Sequence, residues 1–382
     1  MGMKTEEISS SNMSLPNTPI KKPEISLIAA MFLLVTIGII MLISTSSTVG
    51  EASYNDSYFF IKRQGAFIGI GVVAFFAGCI INYTYYQRHL MGGYLVGLII
   101  MALTLIPGIG KWVGGASRWI SIGSFSVQPV EMMKFLIVVG LANLLSNKGH
   151  HLRDFKTGIS AVLALVIGPL MILFFQPDLG NLGLILMVIC GILLISPIPF
   201  KHMFAVAGMA IMAVSISILT RSYQQDRILA FLNPEHDPTG RNYHMVQSLI
   251  AIGSGGLWGL GIGEGKLKYA YLPLQYSDFI FSIICEEGGI ILPTLILVLF
   301  GVIIVQSLKI ARYSHTSFGF YLAIGLMMVL VLQAILNMGV ALGVFPVTGI
   351  PLTFISFGGT SLVMSMFCIG VLVNIARTSR SC

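Results

Sequence analysis

Residues 26–43, SLIAAMFLLVTIGIIMLI, are eighteen consecutive positions without a charge. A hydrocarbon slab about 30 Å thick is crossed by roughly 20 apolar helical residues. No A-x-A cleavage site follows, and the run is too long for a signal-peptide core, so it reads as a first membrane helix. In lipid every backbone polar group must find its partner internally, which makes the run helical.

Comparable runs recur at 65–81, 91–106, 132–146, 157–175, 181–196, 202–220, 280–306, 318–342 and 352–376, giving ten spans. Of the 382 residues, 55% are hydrophobic and 10% charged, where a soluble domain carries about 25% charge. Mean hydropathy is +0.89. These values exclude a disordered chain, a collagen-like fibre and a soluble enzyme. The fold class is an all-α polytopic membrane protein. Residues 1–25 are polar and read as a disordered tail, 26–376 as one ten-helix domain, and 377–382 as a second short tail. A long loop, 221–280, lies between helices 7 and 8.

The formal net charge of +7 belongs to membrane orientation and not to nucleic acid. With the amino terminus inside, twelve basic residues fall on cytoplasmic stretches. Five fall on short outer ones: Lys62, Arg63, Lys111, Arg118 and Lys134. Basic excess marks the cytoplasmic side, so both termini are expected there. Eleven of the fifteen acids lie outside or near the outer ends of spans, and the polar chemistry faces outward. Cys79, Cys190, Cys285, Cys368 and Cys382 form no C-x-x-C pair and read as small buried hydrophobes. His150 and His151 are the only neighbouring histidines, and no metal-ligand pattern is legible.

Several segments carry polar groups. Gly123-Ser124 is a two-residue turn that pairs Ile122 with Phe125 and Ile120 with Val127 in a hairpin, with Trp112 and Trp119 as interfacial anchors. Glu131 and Lys134 are spaced i, i+3 on one helix face. They make either an ion pair or, through Lys134 with Arg118, a seat for a phosphate-bearing ligand. In QPDLG (176–180) Asp178 reads as a helix cap. His244–Ile252 has helical spacing and is expected as a short interfacial helix. Seven glycines follow between Gly253 and Gly265, and they match no dinucleotide fingerprint. Asp278 stands where the loop meets the next span, either as its N-cap or as a functional carboxylate. Gln333 and Asn337, one turn apart, read as glue between helices. The Pro/Gly-rich stretch after them must line protein or a wet cavity.

Taken together these segments resemble the SEDS family (shape, elongation, division and sporulation; FtsW/RodA/SpoVE-like). The resemblance rests on RQ (63–64), GASRWI (115–120), QPVEMMK (128–134), QPDLG, the glycine run 253–268 with YLP after it, SDFIF (277–281), EEGG (286–289) and Asn337 through Leu362. It covers the chain after the tail.

The resemblance implies a peptidoglycan glycosyltransferase that polymerises lipid II at the outer face of the bacterial inner membrane. A sugar hydroxyl attacks the anomeric carbon of a second lipid-linked disaccharide and expels undecaprenyl pyrophosphate. Asp278 matches the family's essential aspartate and is the expected general base. Arg63, Arg118, Lys134 and Lys268, with Glu131 beside them, are the expected substrate-binding groups, since a pyrophosphate leaving group needs positive charge. The family also implies a class B penicillin-binding protein as partner, docked on spans eight and nine, and a divalent cation (Mg or Mn) whose ligands are not legible. Its roles are cell wall biogenesis, cell shape and cell division.

Departures from the family pattern are Leu274 and Tyr276 where Glu and His are usual, Val130 for Ser, Thr353 for Pro and Gly288 for Leu. Two other functions fit the same composition: a lipid II flippase, which needs a polar path through the whole membrane, and a non-catalytic scaffold of the division or elongation complex.

Overall fold

The computed structural model describes residues 23–113, 116–123, 125–148, 155–196, 199–232, 243–265 and 278–379. Among these the chain forms α1 (Pro23–Tyr54), α2 (Phe59–Ile80), the short α3 (Tyr83–Arg88) and α4 (Leu90–Leu103). Strands β1 (Gly110–Val113), β2 (Ala116–Ile122) and β3 (Phe125–Val127) follow, then α5 (Pro129–Lys148), α6 (Phe155–Phe175), α7 (Leu179–Ile195) and α8 (Phe200–Thr220). The remaining helices are α9 (Ser222–Leu232), α10 (Tyr243–Gly255), α11 (Ile280–Gly288), α12 (Ile291–Arg312), α13 (Ser317–Ala341) and α14 (Gly359–Thr378). Most of the expected tail, the His150–His151 turn, Lys268, the stretch from Leu274 to Ser277 and Cys382 lie outside the described residues.

Among the described residues six helices are long and apolar enough to cross a membrane: α1 through Ser46, α2, α5 through Asn147, α12, α13 and α14. Three more are apolar but shorter, namely α4, α7 and residues Ser160–Phe175 of α6. The chain is a multi-pass membrane protein. α13 runs through the middle, with Leu322, Leu326, Leu330 and Ala334 essentially inaccessible. At the periphery α2 and α12 turn apolar side chains such as Val73 and Val298 outward, where lipid tails would meet them. α2 and α14 meet along a glycine seam. A Cβ added at Gly78 would lie 2.7 Å from the Phe367 carbonyl oxygen, and one at Gly370 would collide with that of Phe75. Lipid tails give helices no hydrophobic reason to associate, so small residues that admit close backbone contact hold such pairs together.

The expected hairpin forms with the expected register: Ile120 opposite Val127 and Ile122 opposite Phe125. A third strand, β1, extends it antiparallel to β2, and Trp112 on it is exposed. Sequence pattern did not reveal β1 because its four residues, GKWV, are too short to alternate clearly.

Several boundaries differ from expectation, among them α2, which starts at Phe59 instead of 65. The helix of the first span starts at Pro23 instead of Ser26, with proline suited to a first helical turn. The run 280–306 is not one span but two helices, α11 and α12. Gly289 takes φ +59° between them, and the N–H groups of Leu260 and Gly261 donate to the carbonyls of Glu286 and Glu287 at 3.0 and 3.1 Å. Those bonds satisfy helix-end carbonyls that an unbroken helix would have used itself.

The run 352–376 begins its helix only at Gly359. Residues 342–358 stay irregular, yet Leu352, Phe354 and Ile355 are buried. The Thr353 hydroxyl donates to the Leu330 carbonyl at 3.0 Å, and Phe354 has φ +67°, which stops a helix. Non-helical backbone at this depth is tolerated because protein encloses it. Gly38 lets the segment press against α1, since a Cβ there would lie 2.8 Å from the Ile355 backbone.

Candidate active site

Asp278 sits just before α11, half-buried. Phe279, which has no capping side chain, takes the N-cap position of that helix, so capping does not account for Asp278. What fixes the residue is α13. The Asn337 side-chain amide donates to the Asp278 carbonyl at 3.0 Å and to the Ile350 carbonyl at 2.8 Å. One buried amide thus ties the carboxylate-bearing turn to the irregular segment 342–358. The joining role expected of Asn337 is present, but it ties α13 to two non-helical stretches and not to a second helix.

Arg118 reaches the same place from β2. Its Nη2 donates to the Pro177 carbonyl at 3.2 Å, and its Nε lies 3.6 Å from Asp178 Oδ2. Asp178 caps α7 as expected, accepting from the Asn181 N–H at 3.2 Å and from its side-chain amide at 2.9 Å. Asp178 therefore serves two functions, holding the start of α7 and aiming the guanidinium.

Between Arg118 and Asp278 lies Gly349. A Cβ built there would be 3.4 Å from Arg118 Nη1 and 3.8 Å from Asp278 Oδ2. The backbone at Gly349 has φ +71°, a conformation open to glycine. A carboxylate and a guanidinium thus both approach a residue that has no side chain.

Glu131 and Lys134 are placed together, but toward each other. Their side chains are 4% and 2% exposed and 2.7 Å apart. The Lys134 ammonium also donates to Gln333 Oε1 at 2.7 Å, and Gln333 Nε2 donates to Ser361 Oγ at 2.8 Å and the Pro351 carbonyl at 3.2 Å. Of the two readings of this pair, the ion pair is the one the geometry forms. The charge of Lys134 is committed to joining α5, α13, α14 and the 342–358 segment.

Arg63 lies elsewhere, over the Phe59 ring at 5.5 Å. It lines a cavity of about 250 Å³ with Phe59, Lys62, Ala66 and Phe125. Glu286 and Glu287 are buried. Glu287 accepts from the Ser44 hydroxyl at 2.7 Å and from the Gly263 N–H at 3.0 Å, which joins α1 to the glycine-rich loop. Gly288, where the family has Leu, has no room for a larger residue: its Cβ would lie 2.5 Å from that of Leu292. Among the described residues no three His, Cys, Asp or Glu side chains come together as metal ligands. The divalent cation that the resemblance implies has no ligand set there.

Two participants escaped the sequence. Gly349 is one of 42 glycines, and its one distinguishing signal is its position between Pro346 and Pro351. His244, on α10, stacks on Phe279 with ring centroids 6.1 Å apart, and its Nδ1 is buried without a hydrogen-bond partner. Burial pushes the imidazole below its ordinary value of 6.5, against the opposing pull of the Asp278 charge. Helical spacing placed His244 on a helix, and the loop between it and Asp278 hid their proximity.

Comparison with known proteins gives a consistent result. The family model described as cell cycle protein (FtsW, RodA, SpoVE) matches residues 24–381. Stage V sporulation protein E of Bacillus subtilis is 36% identical, over 94% of this chain and 98% of its own length. The probable peptidoglycan glycosyltransferase FtsW of Trichlorobacter lovleyi is also 36% identical, over 92% and 93%. In fold, the chain resembles one in a structure on the coordination of polymerization and crosslinking by a peptidoglycan synthase complex. The TM-score there is 0.75 at 23% identity, covering 92% of this chain and 97% of the other. The rod shape determining protein RodA of Thermus thermophilus gives a TM-score of 0.67 at 23% identity, over 92% and 95%.

Proposed function

Because the chain belongs to the FtsW/RodA/SpoVE family of cell cycle proteins, the SEDS family, we propose that it is a peptidoglycan glycosyltransferase. It polymerises lipid II at the outer face of the bacterial inner membrane, in cell wall biogenesis. The observation that carries this reading is the meeting of the Asp278 carboxylate and the Arg118 guanidinium at Gly349.

Asp278 takes the proton of the acceptor sugar hydroxyl as that oxygen bonds to the anomeric carbon of the donor. The bond from that carbon to undecaprenyl pyrophosphate breaks, and the leaving group departs with the electron pair. A positioned base contributes about 10²–10⁴-fold. Arg118, its reach set by Asp178 and Pro177, stabilises the phosphate charge. Glu131 and Lys134 brace the floor of the site. Arg63 and Lys268 remain substrate-binding proposals, and no step runs through a metal ion.

The alternation of the helices supports ten crossings with both termini cytoplasmic. Bonds at the amino-terminal ends of α5, α7 and α14 and the carboxyl-terminal end of α13 lie at the same end of the bundle. A class B penicillin-binding protein is the proposed partner. Its binding to α12 and α13 follows from the family resemblance.

The test is polymerisation of lipid II by purified protein and partner in detergent. Wild type forms glycan polymer. Asp278→Ala forms none while retaining its folded elution and melting profile. Normal polymerisation by Asp278→Ala ends the assignment of the base. Lipid flipping in liposomes without any polymer would establish a transporter instead.

A further inference from the structure

The glycine-rich loop carries an exposed apolar tip that the mechanism does not use. Leu257, Trp258 and Ile262 are 66%, 80% and 63% exposed, and no charged residue occurs from Gly253 to Gly263. Large apolar groups clustered in this way on an exposed loop mark a contact surface. The backbone between and after them turns at Gly259, Gly261 and Gly263, with φ of +80°, +105° and +89°.

The position of the tip indicates what covers it. The Ile290 N–H donates to the Leu257 carbonyl at 3.2 Å, so the tip rests on the amino-terminal end of α12. From there Ile291 and Val298, seven residues apart on α12, face outward with more than half their surface exposed. They form an apolar stripe that lipid tails meet wherever the proposed partner on α12 and α13 does not cover it. The tip continues this stripe beyond the end of the helix, at the level where tryptophan is enriched in membrane proteins.

We propose that Leu257, Trp258 and Ile262 insert into the phospholipid headgroup layer beside the candidate site, as a lipid-surface anchor. The bonds of Leu260 and Gly261 to the carbonyls of Glu286 and Glu287 join the anchor to the carboxyl-terminal end of α11. The inference rests on α12 spanning the membrane, as in the reading above.

The test uses the full chain in phospholipid vesicles. Trp112→Phe with Trp119→Phe leaves Trp258 as the single tryptophan of the original three. Its emission should be blue-shifted from that of water-exposed tryptophan. Bromine near the acyl carbonyls should quench it more than bromine at the chain ends, and both more than aqueous acrylamide. A control carrying Trp112→Phe, Trp119→Phe, Trp258→Phe and Val298→Trp reports the span itself and should be quenched by deeper bromines. Quenching of the control alone, with Trp258 open to acrylamide, overturns the anchor and leaves the span standing. Failure of both removes the span on which the inference rests. Shielding of Trp258 only after a penicillin-binding protein is added would make the tip a protein interface and overturn the proposal.

Discussion

Two acid–base arrangements share one end of this bundle and differ in what they leave open. Glu131 and Lys134 touch at 2.7 Å, are almost wholly enclosed, and pass their remaining hydrogen bond to Gln333. Arg118 stands 3.6 Å from Asp178 and keeps another nitrogen turned toward Asp278 across a glycine. The residue types are nearly the same. The first pair closes on itself and holds helices together; in the second, a guanidinium and a carboxylate both come within 4 Å of where a Gly349 Cβ would stand. Burial and spacing, more than charge, separate the structural pair from the one proposed for chemistry.

The contrast predicts opposite signatures for two mutations. Asp278→Asn should lower the polymerisation rate by about 10²–10⁴-fold with no change in thermal unfolding, measured on the same purified sample. Lys134→Met should do the reverse in kind, costing about 3–5 kcal/mol of stability because it strands a buried carboxylate. Adding Glu131→Gln should recover most of that loss in denaturant titrations. If Lys134→Met unfolds normally and fails only in catalysis, the two arrangements are not different in kind.

A smaller effect tests the gap itself. Gly349→Ala should cost about 1–2 kcal/mol from its left-handed backbone, and it places a methyl group against both Arg118 and Asp278. The fall in kcat should exceed the change in melting temperature that strain alone explains. An unaltered kcat would show that the gap is not where substrate binds.

The smallest effect is electrostatic. The imidazole of His244 is held below 6.5 by burial and pulled upward by Asp278. The unfolded chain therefore takes up the proton first. The contribution of neutral His244 to stability is fully present above pH 6.5 and is lost as the pH falls from there toward the folded value. In Asp278→Asn the upward pull disappears, and the titration of His244, followed by NMR, should move further to acid. An unchanged titration would mean that the two groups do not sense each other.

Much of this was legible in sequence. The apolar runs, the Gly123-Ser124 hairpin with its register, the Asp178 cap and the bridging amide of Asn337 follow from local rules. Each depends on neighbours within a few residues or on a simple period. The division of 280–306 into α11 and α12 was not legible, because it depends on N–H donors from Leu260 and Gly261, far earlier in the chain. The irregular 352–358 looked helical because its composition is apolar, and composition does not register the φ of Phe354. The proximity of Arg118, Gly349, His244 and Asp278 comes from four separate elements. No pattern in one chain announces such a meeting, although resemblance to a family identified Asp278 and Arg118 as worth following.

Asn337 belongs to α13, which other helices enclose along most of its length, and the carbonyl of Asp278 hangs from it. The height of that carboxylate is therefore referred to the bundle's axis and not to the loop on which it lies. For an enzyme that extends a polymer one unit after another, such a datum gives every cycle the same starting level while lipids exchange and neighbours come and go. Under the proposed function, lengthening or recomposing the loop before Asp278 would then alter which molecules arrive, and leave unchanged the point at which they are joined.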